Sequence, residues 1–181
     1  MNQWWMDKIA IALIVVVASA YALCQSVSVP SRTAADDPYA PLRLYNGNWE
    51  FEMTDGKEVS HMRISNHCEK TGLFFVCEQV IDDKPSNLAV FLPTGNSAGK
   101  QNYRTQGLSV DAGKPRDWGN LEISGNRWVY SSEEMDKGEK VYWRIINVFS
   151  GADKIHFEVQ HSTDAKTWNT KQSGDERRDI R

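Results

Sequence analysis

The chain has 181 residues, with 21 Lys and Arg against 24 Asp and Glu, a formal net charge of −3 and a sequence pI near 5.8. This weakly acidic balance, with no basic run before Arg177-Arg178, argues against nucleic acid as a partner. The sequence carries no phosphate-cradling glycine loop, no Gly-x-Ser-x-Gly elbow and no Cys/His spacing of a structural zinc site, so it offers no foothold for nucleotide, hydrolase or zinc chemistry.

From Ile9 to Ser31 there is no charged residue, and Ile9 to Leu23 is almost purely apolar. About 20 such residues cross a hydrocarbon core of about 30 Å as a helix. The favoured expectation is one retained transmembrane helix within residues 1–30. Trp4 and Trp5 precede it and Tyr21 lies near its far end, where aromatic rings anchor at the headgroups. Lys8 and the free amine favour a cytoplasmic N-terminus, which puts the helix in the inner (cytoplasmic) membrane and the rest of the chain in the periplasm. The alternative is a secretion signal cut after Ala18-Ser19-Ala20 or Ala20-Tyr21-Ala22, releasing the rest to the periplasm. A lipoprotein acylated at Cys24 is a minor reading, because Leu23 stands where a small residue belongs.

Residues 31–43, with Pro38, Pro41 and Asp36-Asp37, read as an extended linker. From Leu44 the pattern has period two. Trp49, Phe51 and Met53 alternate with Glu50 and Glu52, and Met62 and Ile64 alternate with Arg63 and Ser65. Leu73–Ile81 and Leu88–Leu92 read as apolar strands, the second ended by Pro93-Thr94-Gly95-Asn96. Ser97 to Arg116 is ambiguous. Gly125-Asn126 marks a hairpin turn, Glu133-Glu134 reads as a turn, and strands follow over Val141–Ile146, Ile155–Gln160 and around Trp168. Residues 44–176 thus form one all-β domain, an antiparallel barrel or sandwich of about nine or ten strands, with 177–181 as a polar tail and fraying expected from Gly174.

A turn at Gly72-Leu73, with glycine first as type II′ requires, sets Cys68 opposite Cys77 on neighbouring strands. In an exported domain that favours a disulfide. The alternative is two buried free thiols packing as small hydrophobes.

Gly47-Asn48-Trp49 matches the Gly-x-Trp that opens lipocalin-like barrels. With Cys68, Leu73-Phe74-Phe75-Val76-Cys77 and Ser162-Thr163-Asp164-Ala165-Lys166-Thr167-Trp168, the stretch from Leu44 to Arg178 resembles a group of exported bacterial domains of unknown function. The Thr-Asp-Tyr motif of true lipocalins is absent. The resemblance implies a calycin-type barrel in which Arg177 or Arg178 packs on Trp49. It supplies no ligand, since fold does not fix function.

His61 and His67 share a strand face but lie roughly 20 Å apart when extended, too far for one metal. His161 continues the face of Ile155, Phe157 and Val159. That face makes it the one candidate for a haem ligand, against the commoner role of a hydrogen-bonded core histidine. No cofactor is expected. The aromatics are the surplus: Trp49, Phe51, Phe75, Trp128, Trp143 and Phe157 are expected to fill the core or line an apolar pocket. Two functions follow as expectations. One is a non-catalytic, membrane-anchored accessory subunit of a larger membrane complex, photosynthetic or respiratory, whose partners are the bilayer and other membrane subunits. The other is a periplasmic binder of a small apolar ligand.

Overall fold

The computed structural model describes residues 37–55, 58–110 and 119–179. The expected membrane segment with Trp4, Trp5, Tyr21 and Cys24 lies outside the described residues, as do Trp118 and the first part of the linker. Among the described residues no helix is long and apolar enough to cross a membrane.

Ten strands form the domain: β1 (Gly47–Asp55), β2 (Glu58–Thr71), β3 (Phe74–Ile81), β4 (Lys84–Ser97), β5 (Lys100–Ser109), β6 (Gly119–Ser124), β7 (Arg127–Asp136), β8 (Glu139–Phe149), β9 (Lys154–Ser162) and β10 (Asn169–Arg178). Each pairs antiparallel with its sequence neighbours, and β10 returns to β1, so the sheet closes into a barrel and has no free edge. This decides between the barrel and the sandwich expected from the sequence.

The Gly72-Leu73 hairpin keeps Thr71 opposite Phe74 and Cys68 opposite Cys77. Gly72 has φ +61° and Leu73 does not share the left-handed region, which is the II′ pattern. The Cys68 and Cys77 Cα atoms are 4.1 Å apart, the close spacing of a non-hydrogen-bonded antiparallel pair, and their sulfurs are bonded.

One end of the barrel is plugged from within. Pro41–Tyr45 forms a 3-10 helix before β1, and its Leu42 is buried together with Tyr39. Tyr39 stacks on Phe75 at 5.6 Å and its hydroxyl donates to the Leu73 carbonyl, while the Tyr103 hydroxyl donates to the Pro38 carbonyl. The second part of the stretch read as a linker is therefore a packed stopper, because Tyr39 and Leu42 bring the apolar surface that the Pro-Asp composition hides. Trp49 lies beneath it, 1% exposed, with its indole N–H donated to the Tyr45 carbonyl.

Arg178 covers the other face of Trp49 at 4.3 Å and donates to the carbonyls of Leu44, Asn46 and Ala152. Of the two arginines held open by the sequence, Arg178 is the one on the tryptophan. Gly47 makes room for it: at φ +121°, any Cβ there would sit 2.7 Å from the Arg178 guanidinium.

Several boundaries differ from the sequence expectations. β4 runs through Pro93 to Ser97: Pro93 stays opposite Tyr103, and a bulge at Thr94 takes up the extra residue before Gly95 meets Asn102. The ambiguous stretch contains β5, and Glu133-Glu134 lies in β7 opposite Tyr142 and Val141 rather than in a turn. The segment from Gly174 does not fray. It is half of β10, paired to both β1 and β9. Its inward positions hold no apolar residue for a period-two pattern to reveal. At Gly174 a Cβ would meet the Phe157 ring at 2.8 Å and the Glu52 carbonyl closer still, so glycine lets the strands approach there.

Candidate functional site

Residues directly opposite in an antiparallel sheet share a face, so the buried face of Trp49 defines the inside of the barrel. At the plugged end that face is solid. Phe75, Tyr103, Leu121, Trp128, Phe149 and Ile155 are all buried. Rings follow one another from Phe75 to Phe91 to Tyr130, and from Tyr45 to Trp128 to Phe149.

Toward the other end the packing opens. Met53, Met62, Val141, Trp143 and Val159 sit at inward register positions yet are only half-buried. Ile145, inward between Tyr130 and Val159, is 37% exposed. The opposing wall is lined by small residues, Ala89, Thr105, Gly107 and Ser132, which cannot reach across. A barrel of eight strands is just wide enough to be filled by side chains, and ten strands enclose more space. The inside of the barrel is therefore less closely filled toward the mouth than at the plugged end.

Its floor is polar. The Asn147 side-chain amide donates to the Tyr45 hydroxyl, and Tyr45 and Tyr130 hydrogen-bond one another. Burial pushes both phenols up. Asn147 is 3% exposed, and among the described residues its Oδ1 has no partner. Glu176, inward on β10 opposite Phe51 and Ile155, is 7% exposed. Burial raises its carboxyl to about 7. Phe51 and Phe157 stack at 4.7 Å beside it.

Nearer the mouth, Trp143 donates its indole N–H to Glu134 at 2.5 Å, and its ring lies 5.6 Å from that of His161. His161 does continue the inward face of β9, and its Nδ1 is buried without a partner. Among the described residues no group of three or more His, Cys, Asp or Glu could hold a metal ion. His61 lies on the outer wall, 3.6 Å from Glu52, beside a concavity of about 530 Å³ where β1, β2 and β10 meet. That concavity sets the carboxylates of Glu50, Glu52, Asp82 and Asp175 against the guanidinium groups of Arg63 and Arg177, which offset them in part.

The six aromatics singled out in the sequence divide between the two ends. Trp49, Phe75 and Trp128 close the floor, whereas Phe51, Phe157 and Trp143 stand along the wall. Cys68 and Cys77 lie on the inward face of β2 and β3, with Cys77 opposite Ala89. Glu176, Asn147, Tyr45, Tyr130 and Ile145 were not singled out. A glutamate at an inward-parity position of a strand is the signal that could have found the first, had β10 been recognised.

No family model and no curated protein matches the sequence. The solved structures similar to the chain include two that cover most of it. A redesigned β-barrel is 12% identical, with 75% of this chain and 92% of that one covered and a TM-score of 0.33. The crystal structure of Rv2717c from M. tuberculosis is 11% identical, with 79% and 98% covered and a TM-score of 0.41.

Proposed function

We propose that the domain is a non-catalytic, calycin-type barrel that binds a small, largely apolar molecule in its lumen. The observation that carries this reading is Ile145, a large apolar side chain aimed inward and left 37% exposed. Half-buried Met62, Trp143 and Val159 extend the same surface. Concave, mostly apolar sites with a few polar groups at the bottom are where small molecules bind, and barrel mouths are a common place for them. Each methylene moved from water into such a site contributes about 0.8 kcal/mol.

The test is titration with the uncharged probe N-phenylnaphthylamine. Saturable probe fluorescence with quenching of tryptophan emission is expected, and filling the lumen with Ala89→Leu and Gly107→Leu should abolish both while the barrel stays folded. Unsaturable binding, or binding indifferent to the filled lumen, would contradict the reading.

A second reading, the accessory subunit of an exported membrane assembly, is favoured by the outer wall. Val76, Leu88, Val90 and Leu108 form an outward apolar strip across β3, β4 and β5, whereas the outward positions of β1 and β2 are charged or polar apart from Val59. The Cys68–Cys77 bridge suits the oxidising compartment this reading requires. If the strip seats a membrane subunit, Leu88→Glu with Leu108→Glu should release the protein from a complex isolated in mild detergent. A native-gel mobility unchanged by both substitutions would sink this second reading.

A further inference from the structure

Two acceptors at the bottom of the lumen lack a donor among the described residues. Asn147 Oδ1 is buried and unpartnered. The Glu176 carboxyl receives no hydrogen bond and no ion pair from any described residue. Leaving a buried polar group unpaired is unfavourable, and more so for a charged one. Both groups flank Tyr45: Asn147 donates to its hydroxyl, and the Glu176 charge acts on its phenol.

The described inner wall does carry unpartnered groups able to donate, Asn66 Nδ2 on β2 and His161 Nδ1 on β9, but at other register positions than Glu176. Arg178 is the inward cation next along β10, and its guanidinium is committed to three backbone carbonyls and the Trp49 face. The rim carries the same sign as the floor. Asp55 opposes Glu58, Asp136 opposes Glu139, and Glu134 lies between Asp136 and Ser132 along the inward face of β7, against Lys84 and the turn residues Lys137 and Lys166 among the described cations at this end. Like charges directly opposite one another are unfavourable in a sheet. A mouth lined this way concentrates cations and repels anions.

Building on the lumen-binding reading, we infer that the ligand is an apolar molecule ending in a protonated amine, its ammonium seated between Glu176 and Asn147 Oδ1 and its hydrocarbon body along Phe51, Phe157, Ile145 and Val159. An ammonium has N–H donors for both acceptors and a further one for the Tyr130 oxygen. The carboxylate contact is charge-assisted and roughly twice as strong as a neutral one.

Binding is then linked to protons. The titratable groups facing Glu176 are the Tyr45 and Tyr130 phenols, both held neutral by burial, and the Arg178 guanidinium next along β10 is bound to backbone carbonyls. A cation beside Glu176 favours its carboxylate. Below about pH 7 the amine therefore expels a proton from Glu176 as it binds.

The experiment is calorimetric titration of the full chain with phenylpropylamine, phenylpropanol and phenylpropanoate, which share one body and differ at the head. At pH 8 the amine should bind about tenfold or more tighter than the alcohol, with the carboxylate weakest, and Glu176→Gln should remove that advantage. At pH 6 the amine's heat should vary with the ionisation heat of the buffer. An alcohol or carboxylate that binds as tightly as the amine would overturn the inference, and so would an amine preference that survives Glu176→Gln. If N-phenylnaphthylamine saturates the site and the amine shows no preference, the amine inference alone fails. If neither the probe nor any of the three compounds binds, the lumen reading fails with it.

Discussion

The plugged and open ends of this barrel are built from the same ten strands and carry opposite packing. At the plugged end, large rings meet ring to ring, a 3-10 helix seals the base, and Arg178 staples the last strand to the first. Toward the mouth, small residues face large ones across a gap. Stability is concentrated at one end, which leaves the other free to stay concave.

The largest effect that separates the ends comes from truncating matched apolar positions. Trp128→Ala, in the solid floor, should cost about 3–5 kcal/mol in a denaturant titration. Ile145→Ala, whose side chain already faces open space, should cost about 1 kcal/mol. Equal losses would erase the distinction.

Glu176, at the boundary between the ends, gives the next. Its carboxyl titrates near 7 in the folded chain and near 4.5 in the unfolded one. Below 4.5 it is neutral in both states and folding carries no charge penalty. As pH rises from 4.5 through 7 the unfolded chain ionises first, so stability is lost, and the loss levels off above 7. Glu176→Gln should therefore match the wild type at pH 4 and exceed it by about 3 kcal/mol at pH 8 to 9. A difference independent of pH would refute a buried, unpaired carboxyl.

The disulfide follows. It closes a short loop, with nine residues of separation, at the plugged end. Cys68→Ala with Cys77→Ala should lower stability by about 2–3 kcal/mol in the chain-entropy picture. Probe binding in the lumen should persist at pH and temperature where the variant is folded. Gly47→Ala is the smallest, about 1–2 kcal/mol from the left-handed backbone and the displaced guanidinium. A thermal melt unchanged by that substitution would remove the staple from the account.

The legible parts of the fold were those with strong alternation or turn chemistry. Trp49-Glu50-Phe51-Glu52-Met53 announced β1, and Gly72-Leu73 announced the hairpin and the opposition of Cys68 to Cys77. Strand β10 was hidden because its inward face is Gln172, Gly174, Glu176 and Arg178, which satisfy partners rather than fill a core. The stopper was hidden for the opposite reason: Tyr39 and Leu42 lie among prolines and aspartates that read as linker. The wall aromatics Phe51, Trp143 and Phe157 could be named from sequence. Their separation from Trp49, Phe75 and Trp128 could not, because parity gives the face of a strand and not the height along the barrel. The floor of Asn147, Tyr45, Tyr130 and Glu176 joins residues up to 131 positions apart, a meeting that only the closed register provides.

The central claim is that the upper inside of the barrel is open to small molecules. It is tested most directly by thiol labelling of Ile145→Cys and, as a control in the floor, Ile123→Cys, each in a chain carrying Cys24→Ser with the native bridge intact. The account requires rapid labelling at position 145, protection there by N-phenylnaphthylamine, and slow labelling at 123 that the probe does not change. Equal, slow labelling at both positions would mean that the barrel is packed throughout.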